Sequence, residues 1–363
     1  MKSDLDYASI ASRKSILVKA FMQGKSLQSI LLLSSGARAS EDLYFLDTAA
    51  PYLKKHDGFS IRRIDTLKTR PPKESAFKDS VVIICRTLSG GWLQYLADHR
   101  PAKVIYLIDD FFAGAATSLD LPARYRQKIS RIDLFSRHII YLADHLVVSS
   151  QFLYDYYEKL VEKSLTSVWL LRPALHPIAY SPPRLISRTA QIAYHGTSSH
   201  YKDLERIEQP LLQTLDEEDS QFFSLLGRAI PQSLSMHRSV RTIRPFKWPI
   251  YKRVRKIFKA HIGLSPLFET DFNRGKSIIK FIDISALGAV GIYSDRAPYN
   301  SLVEHGLTGL LAEDDPRHWH DCLQHLIKDP NKTLHMAQAC QEKSFAIAHP
   351  RWHYRFWRRL LND

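Results

Sequence analysis

The stretch NRGKSIIKFIDISALGAVGIYSD, Asn273 to Asp295, reads as a turn, a helix, a second turn and a buried strand. Gly275, Lys276 and Ser277 precede a helical pattern. Gly288 breaks that pattern, and the apolar run to Tyr293 has the length of a strand covered on both faces. Such a turn ahead of a helix is a candidate phosphate site, because helix-start amides and the helix dipole favour an anion. It is not a Walker loop: G-x-x-x-x-G-K-[ST] needs a glycine five positions before Gly275, and Thr270 stands there. Lys276 and Lys280 are one helical turn apart, so both ammonium groups can face one site. Asp283 lies near the same face, where a carboxylate can accept two hydrogen bonds from a ribose diol. A solvated basic helix end is the competing reading of this segment taken alone.

The same alternation runs through the chain. LQSILLLSS, FSIRRI, SVVIICRTL, AKVIYLIDD, HLVVSS and SVWLL read as strands, separated by helical patterns such as SEDLYFLDTAAPYLKKH and YRQKISRIDLFSRHIIYLAD. PALHPIAYSPPRLISR (173–188) holds four prolines and no periodicity, as an inter-domain connection would. The rhythm then restarts with AQIAYHG, KDLERIEQPLLQTLDE, SQFFSLLG, the basic helix WPIYKRVRKIFKA and HIGLSPL. The pattern predicts an α/β protein of two Rossmann-like domains. Residues 1–180 form the first and 181–345 the second, with a cleft between them and ligands at the carboxyl ends of the strands. A C-terminal helix spans 346–363.

Composition narrows the classes. With 45% hydrophobic and 24% charged residues in 363, the chain has the make-up of a globular protein long enough for two cores. No apolar run reaches the ~18 residues of a membrane span, and the first residues carry Asp4 and Asp6 where a signal peptide is basic. A cytoplasmic protein is expected. Cys85, Cys322 and Cys340 are too few and too scattered for a disulfide framework or a zinc cluster, so three packed thiols are expected. The net charge of +14 is spread over both halves. It fits nucleic acid, an anionic membrane or a polyanionic substrate such as a nucleotide diphosphate.

HIGLSPL and the segment from Ser285 to Asp329 resemble the C-terminal domain of GT-B glycosyltransferases, closest to the family 4 group. The matching elements are Gly288 to Asp295, Pro298-Tyr299, Val303 with Gly306, Thr308-Gly309-Leu310-Leu311, Trp319 and Asp329-Pro330. AYHGTSSHYKDL resembles the opening strand and loop of that domain, and ADHLVVSSQFL the last strand and helix start of the first. The resemblance implies a GT-B fold, with a nucleotide-sugar held mainly by the second domain, the acceptor by the first, and the last helix crossing back to the first. It implies that Gly196 lies against the donor diphosphate, with His195 and Thr197 beside it and Lys202 adding charge. Asp283 falls where the family has the second carboxylate of its E-x7-E motif, which holds the ribose. Ser294, Asn300 and Ser301 close the far side. Two positions depart from the family: Thr197 stands where many members have arginine, and Gly275 stands where the first motif glutamate belongs. Glu269 is the acidic residue after the preceding strand, and Lys276, Ser277 and Lys280 supply positive charge and amides in place of the arginine.

Asp109 and Asp110 end a buried strand of the first domain, where a carboxylate can act on an acceptor or cap a turn. Neighbouring side chains alternate, which argues against one shared metal. Arg228, in LLGRAI, can take phosphate bidentately or lie on the surface. The basic-aromatic runs FKWPIYKRVRKIFK and HPRWHYRFWRRLL can lie on an anionic bilayer or pack their rings inward. The expected function is therefore transfer of a sugar from a nucleotide-sugar to a glycan or lipid-linked acceptor, in surface polysaccharide or glycolipid synthesis, at the inner membrane face. By analogy the configuration is retained and no metal or other cofactor is needed. The alternatives are a non-catalytic nucleotide- or sugar-binding protein and, on charge alone, a nucleic-acid-binding protein; no nucleic-acid partner is expected, since no recognition motif is present.

Overall fold

The computed structural model describes residues 29–36, 38–73, 76–175, 181–196, 198–225 and 230–363. The chain divides into two compact units. One holds the described residues up to 116 together with 127–173 and 350–363; the other holds 117–126 and the described residues of 174–349.

The first unit is built on six parallel strands: β1 (Ser29–Ser34), β2 (Ser60–Asp65), β3 (Ser80–Cys85), β4 (Lys103–Ile108), β5 (His145–Val148) and β6 (Ser167–Leu170). Their order is β2-β1-β3-β4-β5-β6. Strands β3 and β4 are buried at every position, as SVVIIC and KVIYLI must be when helices cover both faces. The edge strand β2 alternates instead and leaves Arg62 outside. The C-terminal helix Pro350–Asn362 belongs to this unit and buries His353, Trp357, Leu360 and Leu361. Trp357 donates its indole N–H to the Tyr44 carbonyl at 2.8 Å, and Lys103 Nζ donates to the Leu360 carbonyl at 3.2 Å.

The second unit repeats the plan with β7 (Ala190–Tyr194), β8 (Ser220–Ser224), β9 (Val240–Thr242), β10 (Ile262–Ser265), β11 (Val290–Ser294) and β12 (Leu310–Ala312). The order β12-β11-β10-β7-β8-β9, all parallel, is that of a dinucleotide-binding sheet. Its switch point lies between β7 and β10, where successive connections leave toward opposite edges. The core joins Ile192, Phe222, Ile262, Leu264, Val290 and Ile292 of the sheet to Leu211, Leu215, Trp319 and Leu323 of the helices.

Glycines set the turns here. Gly288 closes the helix Ile279–Ala286 at φ +77°, and a Cβ there would lie 2.8 Å from the Ser181 carbonyl oxygen. Gly309, at φ +156°, would set a Cβ 2.9 Å from the Gly291 carbonyl oxygen.

Four elements differ from the sequence reading. The helix expected over 40–56 is broken into Arg38–Glu41, a wider π-helical turn Asp42–Leu46 and Ala50–His56. The break follows Glu41, whose carboxylate is drawn inward to Ser34 and Arg63. The helix over 202–217 divides into Tyr201–Arg206 and Glu208–Glu217. Strand β8 stops at Ser224, and β9 is a three-residue edge strand with one buried side chain, too short to give a pattern. Cys85, Cys322 and Cys340 are free and buried.

Candidate functional site

At the switch point of the second sheet, three elements converge on one imidazole. His195 follows β7 directly. Tyr251, from the helix Trp248–Ile257, stacks on it with ring centroids 4.2 Å apart and planes at 18°, and its hydroxyl lies 3.0 Å from His195 Nδ1. Lys280 and Asp283 reach it from the helix Ile279–Ala286. Lys280 Nζ lies 3.3 Å from Nδ1 and also donates to the His195 carbonyl; Asp283 Oδ2 lies 3.4 Å from Nδ1.

The electrostatics follow from enclosure. Burial pushes Lys280 down to about 8; Asp283 opposes the shift and Lys276 adds to it. Burial lowers His195 as well, and the Lys280 charge lowers it further against the pull of Asp283, so the imidazole is neutral at pH 7. Burial acts to raise the Asp283 carboxyl. The hydrogen bond with His195 and the charges of Lys280 and Arg255 outweigh it and hold the group below the usual carboxylate range. Asp283 is 5% exposed, and its Oδ1 is buried with no hydrogen-bond partner among the described residues. An ionised acceptor with an unfilled oxygen, next to an ammonium group that burial makes reluctant to stay charged, suits a ligand carrying hydroxyl donors and negative charge.

A second layer fixes this edge. Asp203 Oδ1 accepts from the Asn273 side chain at 2.9 Å and from the Phe268 amide at 3.3 Å, and Oδ2 meets His200 Nδ1 at 2.9 Å. Ser294, fully buried at the end of β11, accepts the Leu267 amide at 2.8 Å. The loop after β10 is thereby pinned from two sides.

The residues singled out from sequence separate into groups. His195, Lys280 and Asp283 come together, and Gly196 adjoins His195. Lys276 lies in the turn before the helix, its Nζ 3.7 Å from the Phe272 ring centroid, and its charge acts on Lys280. Its amide donates to the Asn273 carbonyl at 3.1 Å, so that amide is already engaged within the turn. Ser277 is buried beside it. Lys202 is on the surface, 2.6 Å from Glu205 of its own helix. Glu269 is also exposed and pairs with Arg274 at 2.5 Å and Arg296 at 3.4 Å. Thr197 and Arg228 lie outside the described residues. Sequence reasoning missed Tyr251. The rings of its helix do pack inward, but no site role attaches to them in the sequence, although Trp248, Tyr251 and Arg255 share one face at helical spacing.

The first unit carries a separate cluster at the carboxyl edge of its sheet. Arg86, just after β3, holds Asp110 at 2.6 Å and Asp109 at 3.5 Å, and Ser40 donates to Asp109 at 2.6 Å. Arg86 has φ +62°, a left-handed backbone rare outside glycine. Beside it the fully buried Glu41 takes both Ser34 and Arg63. Arg63, Glu41 and Arg86 gave no sequence signal, because the sheet order that gathers them is not written in local spacing. Among the described residues no three His, Cys, Asp or Glu side chains are grouped to hold a metal ion. No helix among the described residues is long and apolar enough to cross a membrane.

The two sheets, with helices interleaved, define a GT-B fold, the architecture of a large class of glycosyltransferases. No protein-family model matches the sequence, and no curated protein does. Solved structures do match. Sucrose-phosphate synthase from Thermosynechococcus elongatus aligns over 92% of this chain and 99% of its own, with TM-score 0.65 and 14% identity. HepE from Anabaena, crystallised with UDP and glucose, aligns over 92% and 99%, with TM-score 0.62 and 14% identity. A glycosyltransferase from Rickettsia africae aligns over 93% and 98%, with TM-score 0.57 and 12% identity. At such identities the likeness establishes the fold.

Proposed function

We propose that the chain is a glycosyltransferase that holds a nucleotide-sugar at the β7/β10 edge of the second unit and passes the sugar to a glycan or lipid-linked acceptor. The observation that carries this reading is the cluster on His195: an ionised, partly unfilled Asp283 for the ribose hydroxyls beside Lys280, with Lys276 in the adjoining turn for the diphosphate. Gly196 lets the backbone approach the phosphates. As the bond to the sugar breaks, negative charge grows on the departing diphosphate, and lysines already in place stabilise it without reorganisation. The chain's own cations thus do this work in our reading, with no resident metal assigned and with retention of configuration. Asp109 and Asp110, oriented by Arg86, are assigned to the acceptor. The acceptor class and basic surface suit surface polysaccharide or glycolipid synthesis at the cytoplasmic membrane face. The C-terminal helix supports this, since it turns Arg355, Arg359 and a 41%-exposed Trp352 outward. Sedimentation with anionic but not neutral vesicles is the expected result for that face.

One observation favours a second reading, a binding protein without turnover. Gly275 occupies the position of a motif carboxylate, and the nearby Glu269 is engaged by two arginines at the surface. A melting panel with UDP, GDP, ADP and UDP-glucose, followed by a UDP-release assay, separates the two. A nucleoside diphosphate at ~100-fold its Kd should stabilise the fold by about 2.7 kcal/mol, and Lys276→Ala should remove most of the shift. Stabilisation with UDP release supports the transferase; stabilisation with none under any acceptor supports the binding protein. No shift with any nucleotide contradicts both.

A further inference from the structure

The helix Trp248–Ile257 buries two polar side chains one turn apart, Tyr251 and Arg255. Tyr251 belongs to the cluster on His195. Arg255 is 4% exposed, and its Nη1 has no hydrogen-bond partner among the described residues. The Trp248 ring, 5.9 Å from its Cζ, offers a weak cation–π contact. A buried guanidinium with an unmet donor costs stability, and an aliphatic side chain would fill the same position without that cost. Asp283 Oδ1 has the complementary defect, a buried carboxylate oxygen without a donor, on the helix Ile279–Ala286. The two charges act on each other, and both act on the Tyr251 phenol. Two matched defects of opposite sign, beside one imidazole cluster, point to a shared task rather than to packing.

We propose that Arg255 is a positioning residue of the donor site: from a second helix it keeps the Asp283 carboxylate ionised and aimed at the ribose hydroxyls, without touching the nucleotide itself. The inference rests on the donor-site reading above. It explains why Arg255 is buried on a helix where Lys252 is half-buried and Arg253 and Lys256 face water. The groups around Asp283 are His195 from the loop after β7, Lys280 on its own helix, Arg255 and Tyr251 from the helix Trp248–Ile257, and Tyr299 after β11. Lys276 acts on Lys280 from the preceding turn. Of the charged groups around Asp283, Arg255 is the one outside the hydrogen bonds and ion pairs on His195, so its removal leaves the contacts on the imidazole in place.

The test is calorimetric titration of the full chain with UDP and, in parallel, with uridine, from about pH 7.5 down to about pH 3, so that the window reaches the carboxyl limb. Binding that needs ionised Asp283 weakens as pH falls through the carboxyl pKa. Arg255→Met should therefore move that acid limb to higher pH for both ligands, with a loss of affinity that grows as pH falls along the limb. Arg255→Lys should return the limb toward its original position, and it keeps the test valid if the methionine variant folds poorly. A lower melting temperature with an unmoved pH profile would overturn the proposal and leave Arg255 a packing residue. A loss seen with UDP and not with uridine would also overturn it, by placing the guanidinium on the diphosphate. Failure of the unaltered protein to bind UDP, GDP or ADP would instead sink the donor-site reading beneath it.

Discussion

The carboxyl edges of the two sheets are built from the same kinds of side chain and finished differently. At the first, charges are answered from within the chain: Arg86 meets Asp109 and Asp110, and Arg63 meets the buried Glu41 with help from Ser34. At the second, Lys280 is forced down to about 8, and Asp283 Oδ1 and Arg255 Nη1 are buried without partners among the described residues. Both clusters look equally polar by composition. Asp109 Oδ1 also lacks a hydrogen bond among the described residues, but Arg86 stands 3.5 Å from it, so the difference is in how far charge is paired within the chain. A buried pair closed within the chain, as Arg63 with Glu41, mainly stabilises a fold, whereas buried groups left short of a partner mark a site shaped for something other than protein.

That contrast predicts opposite outcomes for substitutions at the two edges. Arg63→Met should have the largest effect, because it leaves the fully buried Glu41 carboxylate with only Ser34 and a 3.5 Å contact to Arg38 among the described residues. Denaturant melts should show the first unit destabilised by about 3 kcal/mol, with UDP affinity of the folded protein unchanged. A drop in affinity would mean the edges are not independent. His353 comes next. It contacts Thr48 and the Arg172 carbonyl, both at 2.8 Å, and burial pushes it down to about 4 against its backbone hydrogen bonds. Its folded pKa lies below the unfolded one, so its contribution is complete above the unfolded value and is lost as pH falls toward 4. The first unit should lose roughly 3 kcal/mol across that window, and His353→Gln should flatten the slope. Arg86→Gly and Arg86→Ala both release the two aspartates, at a cost of about 1–2 kcal/mol. Glycine should be milder by about 1 kcal/mol, because it accepts φ +62° freely. Equal losses would mean the left-handed backbone stores nothing. Lys202→Ala should do least: solvent screens its exposed pair with Glu205, so melting should barely move and UDP affinity should change by less than about twofold. A larger change would return Lys202 to the donor site.

The strands were legible because burial on both faces demands runs such as SVVIIC and KVIYLI. The turns were legible where only glycine fits, as at Gly288 and Gly309. Asp283 and Lys280 could be paired because helical spacing puts them one turn apart. Tyr251 and Arg255 were not found. Periodicity shows which residues share a helix face, but a face bearing arginine is normally read as solvated, and only the packed structure shows it turned inward. Lys202 and Glu269 illustrate the reverse: their positions in the chain fit a site, while rotamers and local partners take them to the surface. The Glu41–Arg63–Arg86 grouping depends on sheet order, which local sequence does not encode.

The proposition on which the rest depends is that Lys280 carries its proton for an anionic ligand. Calorimetric affinity for UDP, measured from pH 7 to 9.5 on the unaltered protein and on Lys280→Met, addresses it. Binding should be strongest below about pH 8 and fall as pH rises through that value, with proton uptake on binding near the midpoint; the methionine variant should bind weakly and with no such fall. An affinity that is flat across this range in the unaltered protein, or a fall that survives in Lys280→Met, would place the anion elsewhere and undo the assignment of the β7/β10 edge.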